Sequence, residues 1–172
     1  MSDIVLQDTM PAPVLEQRDE IGRMVALTWH GSGTESGHGR PRWLVAVDGS
    51  SCSTRAVEMA AQVGARDEQF AAVDLVYVHS WVNKEAAETK LARHSWSATA
   101  LARRLLETKG IGWHLHARMG EEAPEIVRLA ETLGSLGIVL GSRGLTATES
   151  VLFGSVALKV LHLSKTAILI VR

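Results

Sequence analysis

The part of the chain after residue 40 alternates short apolar runs with longer segments whose apolar residues recur every three or four positions. Runs of the first kind are typical of buried strands, and segments of the second kind are typical of amphipathic helices. Their order predicts β-α-β-α-β-α-β-α-β, which indicates an α/β fold with an open parallel sheet and helices on both faces. The predicted strands cover 43–47, 72–79, 111–118, 136–140 and 167–171.

Capping and turn residues mark the ends of several predicted helices. Ser53 has the side chain of a helix N-cap and precedes a segment rich in alanine and valine. Pro124 suits the first turn of a helix that Gly134 would end. The polar segment 83–109, with leucines on one side, predicts one long helix, and 155–163 predicts the last helix.

The third predicted strand shows the clearest two-residue alternation. Apolar side chains alternate with polar or small ones, which predicts a strand with one solvent-exposed face at an edge of the sheet. His114 and His116 share the polar face, but no carboxylate or cysteine joins them at ligand spacing. We therefore predict no metal site in the chain. The apolar positions are Ile111, Trp113, Leu115 and Ala117.

The first 41 residues carry weaker signals than the rest of the chain. Residues 31–41 read GSGTESGHGRP, a composition typical of a flexible linker. Residues 14–29 predict one loose helix with weak periodicity, and the sequence leaves open whether it docks on the rest. We therefore divide the chain into an N-terminal extension with a linker, residues 1–41, and a folded domain, residues 42–172.

Composition and charge narrow the classes of function. The 172 residues are 46% hydrophobic, which suits one soluble domain. Lys and Arg total 18 against 19 Asp and Glu, and this balance argues against broad nucleic-acid binding. No apolar run approaches the roughly 18 residues of a membrane helix, and Cys52 is the single cysteine. We expect a cytoplasmic protein that binds neither nucleic acid nor membranes.

The candidate chemistry lies after the fourth predicted strand, where Gly141 and Gly144 flank a turn and Gly154-Ser155 opens the last helix. Glycines allow the backbone to approach a ligand closely. The first turn of a helix offers unpaired N–H groups and the positive end of the helix dipole. A polyphosphate is therefore expected between the Gly141–Gly144 turn and the helix start.

Two further residues could belong to this site. Asp48 ends the first predicted strand, and it faces the same crevice if the first and fourth strands are neighbours. It could instead only cap the turn that follows. Arg143 lies between two of the glycines and either neutralises phosphate or is an exposed loop arginine.

The spacing of this motif resembles that of the universal stress protein family, in its ATP-binding branch. The family signature is Gly, two residues, Gly, nine residues, Gly, then Ser or Thr, and the chain matches it at Gly141, Gly144, Gly154 and Ser155. The first predicted strand followed by Asp48-Gly49-Ser50 is also similar to the family. The resemblance covers about residues 42–172 and identifies that region as a nucleotide-binding domain of this family.

The resemblance implies a Rossmann-like, adenine nucleotide alpha hydrolase-like sheet of five parallel strands in the order 3-2-1-4-5. It also implies a homodimer, since members often pair through the last strand, here 167–171. Ser80 departs from the usual apolar residue at its position. The residues implied near the nucleoside are Ala46, Asp48, Ser80 and Leu140, and those implied near the phosphates are Gly141, Gly144, Gly154, Ser155 and Val156.

The motif lacks the parts that fast phosphoryl transfer requires. The chain has no GxxxxGK[ST] loop and no residue that stands out as a general base beside the glycines. We therefore predict no catalytic residues and a nucleotide-dependent regulatory module of the stress response. Its ligand would be ATP or another adenine nucleotide, with Mg²⁺ carried by the phosphates, and it would act on an unknown protein partner. Two alternatives stay open: a slow ATPase or autophosphorylating protein, and a dimeric scaffold that binds no nucleotide.

Overall fold

The computed structural model describes residues 9–31, 42–65, 72–145 and 153–172. Within these ranges the chain forms seven strands in one sheet and five helices. The strands are β1 (Leu15–Arg18), β2 (Met24–His30), β3 (Trp43–Ala46), β4 (Ala72–His79), β5 (Gly112–Met119), β6 (Gly137–Gly141) and β7 (Ile168–Val171). The helices are α1 (Ser51–Gly64), α2 (Lys84–Ala98), α3 (Ala100–Thr108), α4 (Glu122–Leu133) and α5 (Ser155–Leu163).

The sheet has the order β1-β2-β5-β4-β3-β6-β7. The five strands from β3 onward are parallel, and their order is the predicted 3-2-1-4-5 when they are counted from β3. The predicted α/β fold is therefore confirmed, but the sheet has seven strands and not five. The two additional strands come from the N-terminal segment and pair in antiparallel fashion.

The prediction of a loose helix over 14–29 is wrong, because this segment forms the β1–β2 hairpin. Leu27 and Trp29 alternate with Thr28 and His30, and the two apolar side chains point into the core. Pairing with β5 also satisfies the backbone groups that an edge strand would leave open. The hairpin's strands thus belong to the same sheet as the domain, whereas most of the predicted linker, from residue 32 to 41, lies outside the described residues.

The predicted position of β5 at a sheet edge, with a solvent-exposed face, is also wrong. Strand β5 lies between β2 and β4, and the side chains of His114 and His116 are buried. Oδ1 of Asp74 in β4 lies 3.1 Å from His114 Nδ1 and 3.2 Å from His116 Nε2, and Oδ2 accepts a hydrogen bond from Arg42 Nε at 3.0 Å. The polar face is therefore a buried ionic cluster rather than a wet surface.

The predicted helix over 83–109 is divided at Thr99 into α2 and α3. The hydroxyl of Thr99 donates to the carbonyl of Ser95 at 2.7 Å, and Ser95 Oγ donates to the carbonyl of Leu91 at 2.7 Å. Hydroxyls that bond back to the preceding turn bend helices. The buried guanidinium of Arg103 donates to the carbonyl of Trp96 at 3.0 Å and holds the break in place.

The other helix ends agree with the sequence in part. Pro124 lies in the first turn of α4, and Gly134 ends that helix in the left-handed conformation at φ 60°. The N-cap of α1 is Ser50 and not Ser53, because Ser50 Oγ accepts the backbone N–H of Ser53 at 3.1 Å. The hydroxyl of Ser53 instead donates to the carbonyl of Ser50.

Helices cover both faces of the sheet, as predicted. Helices α1, α2 and α3 pack on one face with a core that includes the indoles of Trp29, Trp96 and Trp113, which meet in tilted and edge-to-face contacts. Helices α4 and α5 pack on the other face over β3, β4 and β6. Within the ranges that the structure describes, no helix has the length and apolar character needed to span a membrane.

Candidate functional site

The sheet topology places a cleft at the carboxyl ends of the central strands. Strand β3 lies between β4 and β6, and the chain leaves β3 toward one face of the sheet but reaches α5 on the other face after β6. Open parallel sheets bind ligands at such a switch point. The cleft here has a volume of about 570 Å³, which is in the range of small-molecule sites.

All ten residues that the sequence singled out line this cleft. They come from the ends of β3, β4 and β6 and from the start of α5, which the fold brings together from distant parts of the chain. Their contact with a ligand stays a prediction. The ten are Ala46, Asp48, Ser80, Leu140, Gly141, Arg143, Gly144, Gly154, Ser155 and Val156.

Asp48 connects the two loops that form the cleft. Its Oδ1 accepts the backbone N–H of Ser50 at 2.9 Å, which closes the turn after β3, and Gly49 takes φ +87° in that turn. Its Oδ2 accepts the backbone N–H of Leu145 at 3.1 Å, just beyond the glycines of the second loop. Asp48 therefore does cap its turn, and it also fixes the glycine loop after β6.

The structural reasons for glycine differ between the positions of the motif. A Cβ on Gly141 would lie 2.8 Å from Cys52 in α1, and a Cβ on Gly144 would lie 2.7 Å from Asp48 Oδ2. These two positions need glycine for packing within the protein. A Cβ on Gly154 would have its nearest contacts at 3.6 and 3.7 Å, which is ordinary van der Waals distance. A side chain at residue 154 would therefore be tolerated by the fold.

The N-terminus of α5 faces the cleft without a capping side chain. The N-cap is Gly154, in the extended conformation, and Ser155 is the first residue of the helix. Ser155 is therefore not the N-cap of the helix. The backbone N–H of Gly154 donates to the carbonyl of Ser142 at 2.7 Å, which joins the helix start to the end of β6. The amides of the first turn and the positive dipole end are available to an anion.

Five polar residues that line the cleft were not predicted as site residues: Ser53, Tyr77, His79, Glu122 and Ser142. Burial, assisted by the carboxylates of Asp48 and Glu122, raises the pKa of Tyr77, so its hydroxyl stays neutral and can donate a hydrogen bond. Ser142 is fully buried, and its Oγ has no hydrogen-bond partner among the described residues. Only the position of these residues at strand and helix ends could have indicated them from the sequence.

His79 lines the cleft and is held by two partners within the protein. Its Nδ1 lies 2.7 Å from the carbonyl of Ser80, and its Nε2 lies 2.9 Å from Nδ1 of His94 in α2. Because a carbonyl only accepts, Nδ1 of His79 carries a proton, and in the neutral ring Nε2 accepts from His94. Burial and the neighbouring His79, Lys90 and Arg93 lower the pKa of His94.

The charges of the cleft are mixed. Asp48 and Glu122 bring carboxylates, while Arg143 is the one lysine or arginine among the described residues that line it. An anionic ligand would thus be held mainly by backbone N–H groups and the helix dipole, with one guanidinium nearby. Both oxygens of Asp48 already accept backbone N–H groups, so this carboxylate holds structure rather than standing ready as a general base.

The fold and this cleft define a Rossmann-like α/β protein with a glycine-lined site at the switch point of its sheet. The chain matches the model of the universal stress protein family over residues 40–172. It therefore belongs to the universal stress protein family. The hairpin, at residues 15–30, precedes the matched region.

Relatives and solved structures agree with this assignment. The universal stress protein YxiE of Bacillus subtilis is 29% identical over 151 residues, which cover 76% of this chain and 98% of that protein. The structure of the hypothetical protein MJ0577 has a TM-score of 0.65 and 25% identity, and the match covers 76% of this chain and 94% of that one.

Two further structures share the fold and contain a nucleotide. A universal stress protein in complex with cAMP has a TM-score of 0.61 and 24% identity, and the match covers 77% of this chain and 97% of that one. The universal stress protein from Archaeoglobus fulgidus in complex with dAMP has a TM-score of 0.59 and 23% identity, with 77% and 98% covered. At these identities the likeness concerns the fold.

Proposed function

We propose that this chain binds an adenine nucleotide in the cleft and acts as a nucleotide-dependent regulatory module of the stress response. The observation that carries the proposal is the open position at Gly154, beside the uncapped first turn of α5. No contact of a Cβ with the described residues requires glycine there, whereas a ligand that approaches the backbone does. The complexes of related proteins with cAMP and dAMP support an adenine nucleotide as the ligand.

The proposed ligand, ATP or a close relative, lies with its phosphates on the glycine loop. Gly141, Gly144 and the first turn of α5 offer backbone N–H groups, Ser155 offers a hydroxyl and Arg143 a guanidinium. Because the lining carries two carboxylates and one guanidinium, Mg²⁺ on the phosphates would reduce the repulsion between the phosphates and the carboxylates. The nucleoside would lie against the ends of the central strands, where the lining includes Ala46, Ser80, Leu140 and Val156.

We propose that the cleft binds the nucleotide rather than catalysing a reaction of it. Asp48 is already hydrogen-bonded through both oxygens, and Tyr77 has a raised pKa that keeps its hydroxyl protonated. Neither group is poised to activate water or a hydroxyl nucleophile at neutral pH. Slow hydrolysis or phosphorylation of Ser155 would require a base from outside this set.

The proposed module is a cytoplasmic homodimer that pairs through β7. This strand is the last of the sheet, and its four residues, Ile168 to Val171, are apolar and partly exposed. The neighbouring helix α5 exposes Leu158, Leu161 and Leu163. An apolar edge beside apolar side chains is the kind of surface that a second copy covers.

Calorimetric titration with ATP and Mg²⁺ tests the binding proposal. We expect binding by the natural chain and at least about a tenfold loss of affinity in Gly154→Val. Valine fits the extended backbone of residue 154 at φ −69° and ψ 161°, so the variant should fold, with only the modest loss of stability that an apolar residue causes at an N-cap. Ser97→Val is the matched control, because residue 97 is exposed on α2 and does not line the cleft.

Two results would refute the proposal. Absence of both heat and thermal stabilisation at millimolar ATP would show that the natural chain does not bind the nucleotide. Normal affinity in Gly154→Val would show that the phosphates do not lie where we place them. Turnover of labelled ATP faster than roughly one per second would replace the regulatory function with an enzymatic one.

A further inference from the structure

The turn of the N-terminal hairpin, residues 19–23, is fastened to the loop 80–83 and the first turns of α2. This contact joins a segment outside the family match to a loop that directly follows β4. The ammonium of Lys84 donates to the carbonyl of Ile21 at 3.0 Å. Arg18 and Glu88 form a two-point ion pair one turn further along the helix, with Nη2 3.0 Å from Oε2.

Arg23 is at the centre of this contact. Its Nη1 donates to the carbonyl of Val82 at 3.2 Å, and its guanidinium carbon lies 4.6 Å from the centre of the Trp81 ring. The Asp19 carboxylate accepts from Nε of Arg23 at 2.9 Å and from its backbone N–H at 2.9 Å, which fixes the guanidinium. Asp19 therefore holds the guanidinium of Arg23 on the hairpin side. On the loop side the same guanidinium stacks on Trp81 and donates to Val82, and these two contacts together restrict the loop.

The loop that Arg23 holds is continuous with the cleft. Ser80 and His79 line the cleft and immediately precede Trp81 and Val82. Helix α2, which starts at the other end of the loop, also contacts the cleft lining, because His94 is hydrogen-bonded to His79. The end of the same helix lies beside the turn after β3, where the Ala98 carbonyl would be 3.4 Å from a Cβ on Gly49.

We propose that Arg23 is a positioning residue for the nucleotide: it holds loop 80–83 and with it the side of the cleft at the end of β4. The inference rests on the proposed binding of an adenine nucleotide and assigns the hairpin a part in it. Arg23 does not line the cleft, so it acts through Trp81 and Val82 and not by touching the ligand. The phosphate side, at the start of α5, does not depend on the hairpin.

The test compares ATP affinity in Arg23→Ala, Arg23→Lys and Arg18→Ala, each in the full chain. We expect about a three- to tenfold weaker affinity in Arg23→Ala, since loop 80–83 loses one hydrogen bond and one cation–π contact. Arg23→Lys keeps the positive charge but loses the planar guanidinium with its several N–H donors, so its affinity should be as weak as that of Arg23→Ala. Arg18→Ala removes an exposed ion pair between the same hairpin and helix and should bind ATP normally.

A second measurement needs no nucleotide. The ¹⁵N relaxation order parameters of residues 80–83 should fall in Arg23→Ala and stay unchanged in Arg18→Ala, while those of α5 stay unchanged in both. A merely stabilising role of Arg23 would lower the melting temperature without this local change.

The outcomes separate the two proposals. If the natural chain binds no ATP, the proposed function fails and the inference fails with it. If the natural chain binds ATP and Arg23→Ala binds it equally well, only the inference fails. Recovery of full affinity in Arg23→Lys would also overturn it, because charge alone would then account for the effect.

Discussion

The carboxylate of Asp48 occupies the space that a side chain at Gly144 would need, since a Cβ on Gly144 would lie 2.7 Å from Asp48 Oδ2. The same oxygen accepts the backbone N–H of Leu145. The end of β3 and the loop after β6 are thus held together by one side chain, although 97 residues separate Asp48 from Leu145. The order of the strands makes this contact possible, and the contact shapes the cleft.

This relationship predicts strong coupling between residues 48 and 144. Gly144→Ala should lower the free energy of unfolding by about 1–2 kcal/mol, because the methyl group displaces the carboxylate and weakens its hydrogen bonds. In an Asp48→Ala background the same replacement should cost less than about 0.5 kcal/mol, because the obstacle is gone. Urea unfolding of the two single variants and the double variant measures the coupling. Additive effects would contradict the geometry described for this loop.

The position of the hairpin beside β5 predicts that a chain without residues 1–31 is less stable and associates with itself. Removal of β2 uncovers the edge of β5 and exposes the core side of Trp113, which packs near Trp29 and Trp96. We expect a lower melting temperature and association that increases with protein concentration, because an open strand edge pairs with other chains. Thermal denaturation and sedimentation at several concentrations provide the measurement. A truncated chain as stable and as monodisperse as the full chain would show that β5 does not need this cover.

The buried ionic cluster predicts that acid lowers stability. Burial lowers the pKa of His116 below its ordinary 6.5, and the hydrogen bond to Asp74 offsets only part of this effect. A histidine whose folded pKa is depressed contributes stability above pH 6.5, which is lost as the pH falls through the folded pKa. Burial raises the pKa of Asp74, but the neighbouring His114 and His116 rings and the charge of Arg42 outweigh burial, so this pKa is also depressed. The stability that Asp74 contributes is lost as the pH falls from about the ordinary pKa of 3.8 through the lower folded pKa.

The measurement is the free energy of unfolding between about pH 7.5 and pH 5, where Asp74 stays ionised in both states. Stability should fall with the pH in the natural chain and fall less steeply in His116→Gln. His94 also has a lowered pKa and leaves a residual slope with the same sign. A slope that is unchanged in His116→Gln would exclude His116 as its source.

The proposed dimer predicts the effect of a proline on the free edge of β7. The carbonyls of Ala167 and Val171 accept backbone N–H groups from β6 and from Ser142, so alternate residues such as Ile170 direct their backbone groups to the other side. Ile170→Pro should therefore leave the β6–β7 pairing intact and prevent pairing with a second copy. Sedimentation should show a dimer for the natural chain and a monomer for the variant. A variant that stays dimeric would place the interface on another surface.

The parts of the fold that the sequence predicted are those encoded locally. The strands from β3 onward and the helix ends at Pro124 and Gly134 follow from periodicity and turn chemistry within short windows. The glycines, Asp48, Arg143 and Ser155 were predicted from local spacing and strand ends, whereas Ala46, Ser80, Leu140 and Val156 were implied by the resemblance to the family; the parallel topology brings all ten to the cleft. The resemblance to the family supplied the strand order.

The parts that the sequence did not predict depend on distant partners. The 14–29 segment is a hairpin because β5 offers it an edge, and its own periodicity carries no sign of that edge. The alternation in β5 correctly predicts a strand. Its histidines are nevertheless buried, because the carboxylate of Asp74 lies beside both rings and the charge of Arg42 balances that carboxylate. The break at Thr99 depends on hydroxyl bonds and on a buried arginine, which a helical pattern does not reveal.

The central claim is that a nucleotide places its phosphates on the glycine loop, and amide chemical shifts during an ATP titration of ¹⁵N-labelled protein test it most directly. We predict that the largest shifts occur at the amides of Gly141, Gly144, Gly154 and Val156, with smaller shifts near Ser80. Absence of shifts at saturating ATP, or shifts confined to surfaces away from this cleft, would contradict the account.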